Sequence, residues 1–189
     1  MRSRDLYYNE SYISEVTMIA LQIEHVGSFM NQLLLKETFD RFLVSEAQIT
    51  TFTTFSIDGQ SHPEFYEDDA SEDTGSMHTG RDAQTHREPL VRWKDIRSFC
   101  VQIFKGRRLP ISFRFVFHLS SGQIRWFMEK NELNYDPEDV LGLFLNIQYR
   151  NHTLTVTTGS SLRTFTLDRT IDQAWDRYVQ KFFTACGLD

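Results

Sequence analysis

Apolar positions along the chain recur in two rhythms, one close to two residues and one close to three and a half. Alternating or β-branched runs predict strands at 19–23 (IALQI), within 42–57 (FLVSEAQITTFTTFSI), at 111–119 (ISFRFVFHL), 143–149 (LFLNIQY), 153–158 (TLTVTT) and 162–167 (LRTFTL). Helical spacing appears in four places. Val26, Phe29, Met30, Leu33 and Leu34 make the first apolar face, and Trp93, Ile96, Phe99, Cys100, Ile103 and Phe104 the second. Ile124, Phe127 and Met128 follow a cap at Ser120 or Ser121. Ile171, Trp175, Tyr178, Val179, Phe182 and Phe183 mark the last helix. On this spacing Phe99 and Trp175 are both expected to be buried.

Turn chemistry supplies the punctuation. The 42–57 run divides into two strands turning near Glu46-Ala47, and Asp58-Gly59 ends the second. Gly106 stands where a glycine would stop the second helix. Asp136-Pro137 reads as a cap and first position of a short helical turn, Asn151-His152 as a hairpin turn, and Gly159-Ser160 as another turn.

Set side by side, the halves carry the same series. Val26, Phe29 and Met30 match Ile124, Phe127 and Met128, and the helix with Ile96, Phe99 and Cys100 matches the one with Trp175, Tyr178 and Val179. The phrases ITTFTTFSIDG (49–59) and LTVTTGSSL (154–162) fall at corresponding places. The expected fold class is α+β: two related strand–helix–strand–strand–helix units forming a mainly antiparallel sheet with packed helices. The domain would span 18–187. Residues 1–17 are polar and aperiodic, either a disordered extension or a mis-called start with Met18 the natural first residue. The aperiodic stretch 61–89 reads as an acidic flexible insert.

The run MIALQIEHVGSFMNQLLLKETFDRFLVSEAQITTFTTFSIDG, with WKDIRSFC and LTVTTGSSLRTFTLDRTIDQAWDRYVQKFF, resembles an uncharacterised bacterial domain-of-unknown-function family found in clostridial relatives. That resemblance implies no activity. The element order resembles, more loosely, the duplicated units of DNA sliding clamps. The chain departs from that pattern, since EHVGSFMNQLLLKE and SSGQIRWFMEKNE are nearly neutral where a clamp's inner helices are basic, and two amphipathic helices are extra.

The composition suits a packed core, with 40% hydrophobic residues and 16 Phe among 189. Neither a secretory signal nor a run long enough for a membrane helix is visible. Cys100 and Cys186 lack partners at metal-ligand spacing, so a reducing cytoplasmic setting is expected. No nucleotide, hydrolase or zinc motif occurs, and no catalytic residue, metal or cofactor is assigned. His62, His78 and His86 lie among carboxylates, but ordering so polar a stretch around a metal costs more than leaving it solvated. His118 reads as structural. The stretch 157–165 could hold an anion but is more simply a hairpin turn, and the acids of 134–140 are more simply caps.

Charge changes the picture most. Residues 61–89 hold eight acidic and two basic side chains, while 90–130 hold nine basic and two acidic. The candidate anion or nucleic-acid contacts are Arg97, Lys105, Arg107, Arg108, Arg114 and Arg163. Three functions stay open. The first is a non-enzymatic binding or adaptor protein with a protein partner. The second is a clamp-like DNA-associated protein using the basic 92–114 segment, and the third is an enzyme whose site has no linear motif. A homodimer through open sheet edges is compatible with all three.

Overall fold

The computed structural model describes residues 19–66, 88–105 and 108–188. Six strands are formed among the described residues: β1 (Ala20–Ile23), β2 (Leu43–Thr50), β3 (Thr54–Ile57), β4 (Ser112–His118), β5 (Val140–Arg150) and β6 (Thr153–Leu162). Four helices among the described residues accompany them: α1 (Val26–Leu35), α2 (Trp93–Phe104), α3 (Ser121–Lys130) and α4 (Thr170–Cys186), with a 3-10 turn at Pro63–Tyr66. All six strands join one antiparallel sheet in the order β1-β6-β5-β4-β2-β3. The chain is therefore an α+β protein.

Alternation along the strands gives the sheet one apolar face. Phe113, Phe115 and Phe117 of β4 are buried, as are Leu143, Leu145, Ile147 and Tyr149 of β5 and Leu154 and Val156 of β6. Between them Arg114, Gln148 and Arg150 are exposed. The helices cover the apolar face with aromatic rings. Trp93 of α2 meets Phe115 and Phe117 edge-on at 5.2 Å each, Phe29 of α1 meets Phe183 of α4, and Phe127 of α3 meets Trp175 of α4. Two buried indoles are also satisfied as donors. Trp93 donates to the Leu33 carbonyl and Trp175 to the Phe144 carbonyl, both at 2.8 Å.

Local chemistry explains several boundaries. Ser120 caps α3 through a reciprocal pair with Gln123, side chain to backbone in each direction. Asn151 and His152 both take positive φ in the β5–β6 hairpin, as its two-residue turn requires.

Three expectations are corrected. β2 does not turn at Glu46-Ala47; it runs on to Thr50, and the irregularity there is a bulge between Val44 and Glu46. The turn comes at Thr51–Thr53. β6 likewise runs straight through Gly159-Ser160 to Leu162, and no strand forms at 162–167. Its hydroxyls face α4, where Thr158 donates to Asp176 and Ser160 to Asp172. Asp136-Pro137 opens a short turn as expected, with Asp136 Oδ1 accepting from the Glu138 amide. Phe99 is 64% exposed. The α2 stripe centres on Trp93 and Cys100, and a neighbour of Cys100 in sequence points about 100° away around the helix.

The element order strand–helix–strand–strand–helix occurs in both halves, but the pairing differs. β4 lies beside β5, whereas β1 lies at the sheet edge beside β6, far from β2. Gly106, and most of the acidic insert, fall outside the described residues.

Candidate functional site

The β2–β3 turn, the end of α2 and the segment before β4 meet at one corner of the molecule. Ile111 donates its amide to the Thr50 carbonyl at 2.8 Å, which ties the 108–111 segment to the end of β2. The Thr51 amide donates to the Thr53 carbonyl at 2.8 Å and closes the turn tightly. Phe52 is thereby lifted to the tip, where its ring stands edge-on to Phe55 at 6.1 Å. Ile103 on α2 forms the facing wall.

These residues enclose an open cavity of about 850 Å³ lined by Phe52, Phe55, Ile103, Leu109 and Ile111, with Lys105 and Arg108 at its rim. Phe52 is 93% exposed, Leu109 81% and Ile111 69%. Single exposed apolar residues are ordinary, but three gathered around one concavity are not. Neither Lys105 nor Arg108 forms an ion pair among the described residues. The Lys105 amide bonds the Val101 carbonyl as the cap of α2, so its ammonium stands by the negative end of that helix. A carboxylate arriving at the rim would meet two cations that form no ion pair among the described residues.

The other sequence-predicted candidates do not join this cluster. Arg97 faces Asp40 at 3.0 Å and donates to the Lys36 carbonyl. Burial raises the Asp40 carboxyl above its ordinary value, against a lowering by Arg97. Arg114 lies on the sheet face opposite the buried Phe113 and Phe115 and approaches Glu46 at 3.5 Å. Arg163 lies beyond β6, 3.9 Å from Asp139. Arg107 falls outside the described residues. Of the six candidates, Lys105 and Arg108 are thus the pair brought together.

Reactive side chains offer little else. Cys100 is buried, and burial pushes its thiol up to about 12, away from thiolate chemistry. Among the described residues no group of three or more His, Cys, Asp or Glu side chains converges on a point. His62 pairs with Glu64 at 3.0 Å, and His78 and His86 lie outside the described residues. No helix among the described residues is long and apolar enough to cross a membrane.

The sequence reading missed Phe52, Phe55, Leu109 and Ile111. A signal was present in RRLPI, where apolar residues follow a basic pair directly, and in a phenylalanine set within a threonine run at a turn.

Fold and corner together define a class: an α+β protein with a single antiparallel sheet, helices on one face, and an apolar groove with a cationic rim. The chain belongs to DUF5721, a family of unknown function, whose sequence model matches residues 32–189. No curated protein and no solved structure matches it.

Proposed function

We propose that this chain is a non-enzymatic binding or adaptor protein of the reducing cytoplasm, and that its docking surface is the groove between the β2–β3 turn and α2. The partner is a protein segment that carries both apolar and acidic side chains. The observation behind this reading is the exposure of Phe52, Leu109 and Ile111 around one cavity whose rim holds two cations with no ion-pair partner among the described residues. Burying one such side chain in a partner contributes about 1.5–3 kcal/mol, so two or three anchors suffice for a transient complex. The rim charges add steering and register more than affinity. Cys100 and Cys186 are both free thiols, which suits the proposed compartment.

Nucleic acid binding through residues 92–114 draws less support, because Arg97 and Arg114 each stand beside a carboxylate and point to different parts of the surface.

Peptide selection from a random phage library against the intact protein tests the reading. Selected sequences should combine Asp or Glu with Phe, Leu or Ile. Their binding should weaken about tenfold or more in Phe52→Ser/Ile111→Ser and in Lys105→Glu/Arg108→Glu, with melting temperature retained. Peptides without that composition, or equal binding to both double variants, would remove the groove from consideration.

A further inference from the structure

A second cavity lies at the other end of β4 and owes nothing to the groove. It has a volume of about 350 Å³ and is lined by His118, Ser121, Arg125, Glu138 and Arg163, with Val140 and Leu141 among its apolar walls. Separate chain segments build it. His118 ends β4, Ser121 and Arg125 lie on α3, Glu138 sits in the turn before β5, and Arg163 follows β6. Backbone bonds hold these segments in place: the Leu119 amide to the Leu143 carbonyl at 3.2 Å, and the Arg163 amide to the Asp139 carbonyl at 2.8 Å.

We propose that this cavity is a binding site for the phosphoryl group of a small phosphorylated metabolite. Two guanidinium groups from different segments and a hydroxyl offer more donors than a carboxylate can use, and suit a tetrahedral dianion. Arg125 makes no ion pair among the described residues, and the Arg163–Asp139 pair is long at 3.9 Å, so a phosphoryl group can claim both. Glu138 is the one carboxylate in the lining. It repels a long polyanion but accepts hydrogen bonds from the hydroxyls of a sugar. The volume lies at the small end of ligand cavities, the size of a sugar phosphate rather than a dinucleotide.

The His118 ring forms a fixed wall of the cavity, tied through Nδ1 to the Leu119 carbonyl. It packs edge-on to Phe144 at 4.8 Å. Gly142 makes this packing fit, since a Cβ there would meet His118 Nε2 at 2.5 Å and the Phe144 ring at 2.6 Å.

The test is calorimetric titration of the full chain with glucose 6-phosphate, AMP and inorganic phosphate, with glucose and adenosine as phosphate-free controls. Amide shifts of Gly122 and Gly142 report the location. At least one ester should saturate below about 10 mM, and its unphosphorylated counterpart should not bind. Arg125→Ala/Arg163→Ala, both at exposed positions, should weaken that ester about tenfold or more at unchanged melting temperature. Lys105→Ser/Arg108→Ser at the groove should leave it unaltered. Absence of saturation by any phosphate compound would overturn the proposal. So would equal binding to the Arg125→Ala/Arg163→Ala protein, and inorganic phosphate binding as tightly as both esters would overturn the metabolite assignment.

Discussion

Replacing Gly59 with alanine adds one methyl group, and the structure makes its cost unusually large. Gly59 has φ +70, a backbone region that costs an L residue about 1–2 kcal/mol. Space is a second obstacle. A Cβ placed there would overlap the Val44 carbonyl oxygen and lie 2.8 Å from the Val44 carbonyl carbon, both backbone atoms that no rotamer change can move. Relief requires shifting the bulge in β2 or the chain leaving β3. That crossing is held by hydrogen bonds from the Val91 amide to the Gly59 carbonyl and from the Val44 amide to the Val91 carbonyl, each at 2.9 Å. Straining both forfeits about 0.5–1.5 kcal/mol each, on the order of 3 kcal/mol or more in all. Gly27 is the internal control. It lies in the first turn of α1 with nothing within 4 Å of an added methyl, so Gly27→Ala should be neutral or stabilising by up to about 0.5–1 kcal/mol. Urea denaturation followed by far-ultraviolet circular dichroism reads both, with equal slopes required for the comparison. A Gly59→Ala loss below about 1 kcal/mol, or a Gly27→Ala loss of the same size, would refute the reasoning.

Two further outcomes are expected. Trp175 is 1% exposed, stacks on Tyr178 at 5.4 Å and donates to the Phe144 carbonyl, so Trp175→Ala should cost about 3–5 kcal/mol in the same urea assay, and a loss under about 1 kcal/mol would contradict its placement. Burial raises the Asp40 carboxyl in the folded chain, so folding is favoured by its protonation and its ionised form costs stability above that range. The melting temperature of Asp40→Asn relative to the parent should therefore be higher near about pH 7 than near about pH 3, and a difference that grows toward acid would show that the Arg97 contact dominates instead.

Much of the fold was legible because burial imposes periodicity. All four helices lie where apolar spacing puts them, since each presents one stripe to one sheet face. The errors share a cause. Polar residues at Glu46-Ala47 and Gly159-Ser160 look like turns, yet a bulge absorbs the first, and contacts from Asp172 and Asp176 hold the second within a strand. Neither device has a local signature. Phe99 was misplaced because six apolar residues spread around α2 define a face wider than the one α2 buries. The groove was least legible of all. Its walls come from residues 51–55, 102–105 and 108–111, and nothing local says that the Thr51–Thr53 turn and the Arg108–Ile111 segment adjoin. The β2–β4 pairing, extended by the bond between Ile111 and Thr50, brings them together.

The repeated threonine-rich phrases show how pattern and position part company. In the first half the phrase spans the end of β2, a tight turn and β3, and β3 lies at the sheet edge. In the second half the phrase is one unbroken strand, β6, with β5 on one side and β1 on the other. β1 matches only Leu154–Thr157, and beyond Thr158 β6 runs on through glycine and two serines along β5, with Thr158 and Ser160 bonded to Asp176 and Asp172 of α4. An edge strand has one neighbour to match, so its partner can end early and the turn can carry a side chain outward. Phe52 sits at that turn. The same threonine-rich composition therefore yields one continuous strand in the second half and a turn with an exposed aromatic anchor in the first. The proposed docking groove arises at the copy of the phrase that breaks into strand end, turn and edge strand.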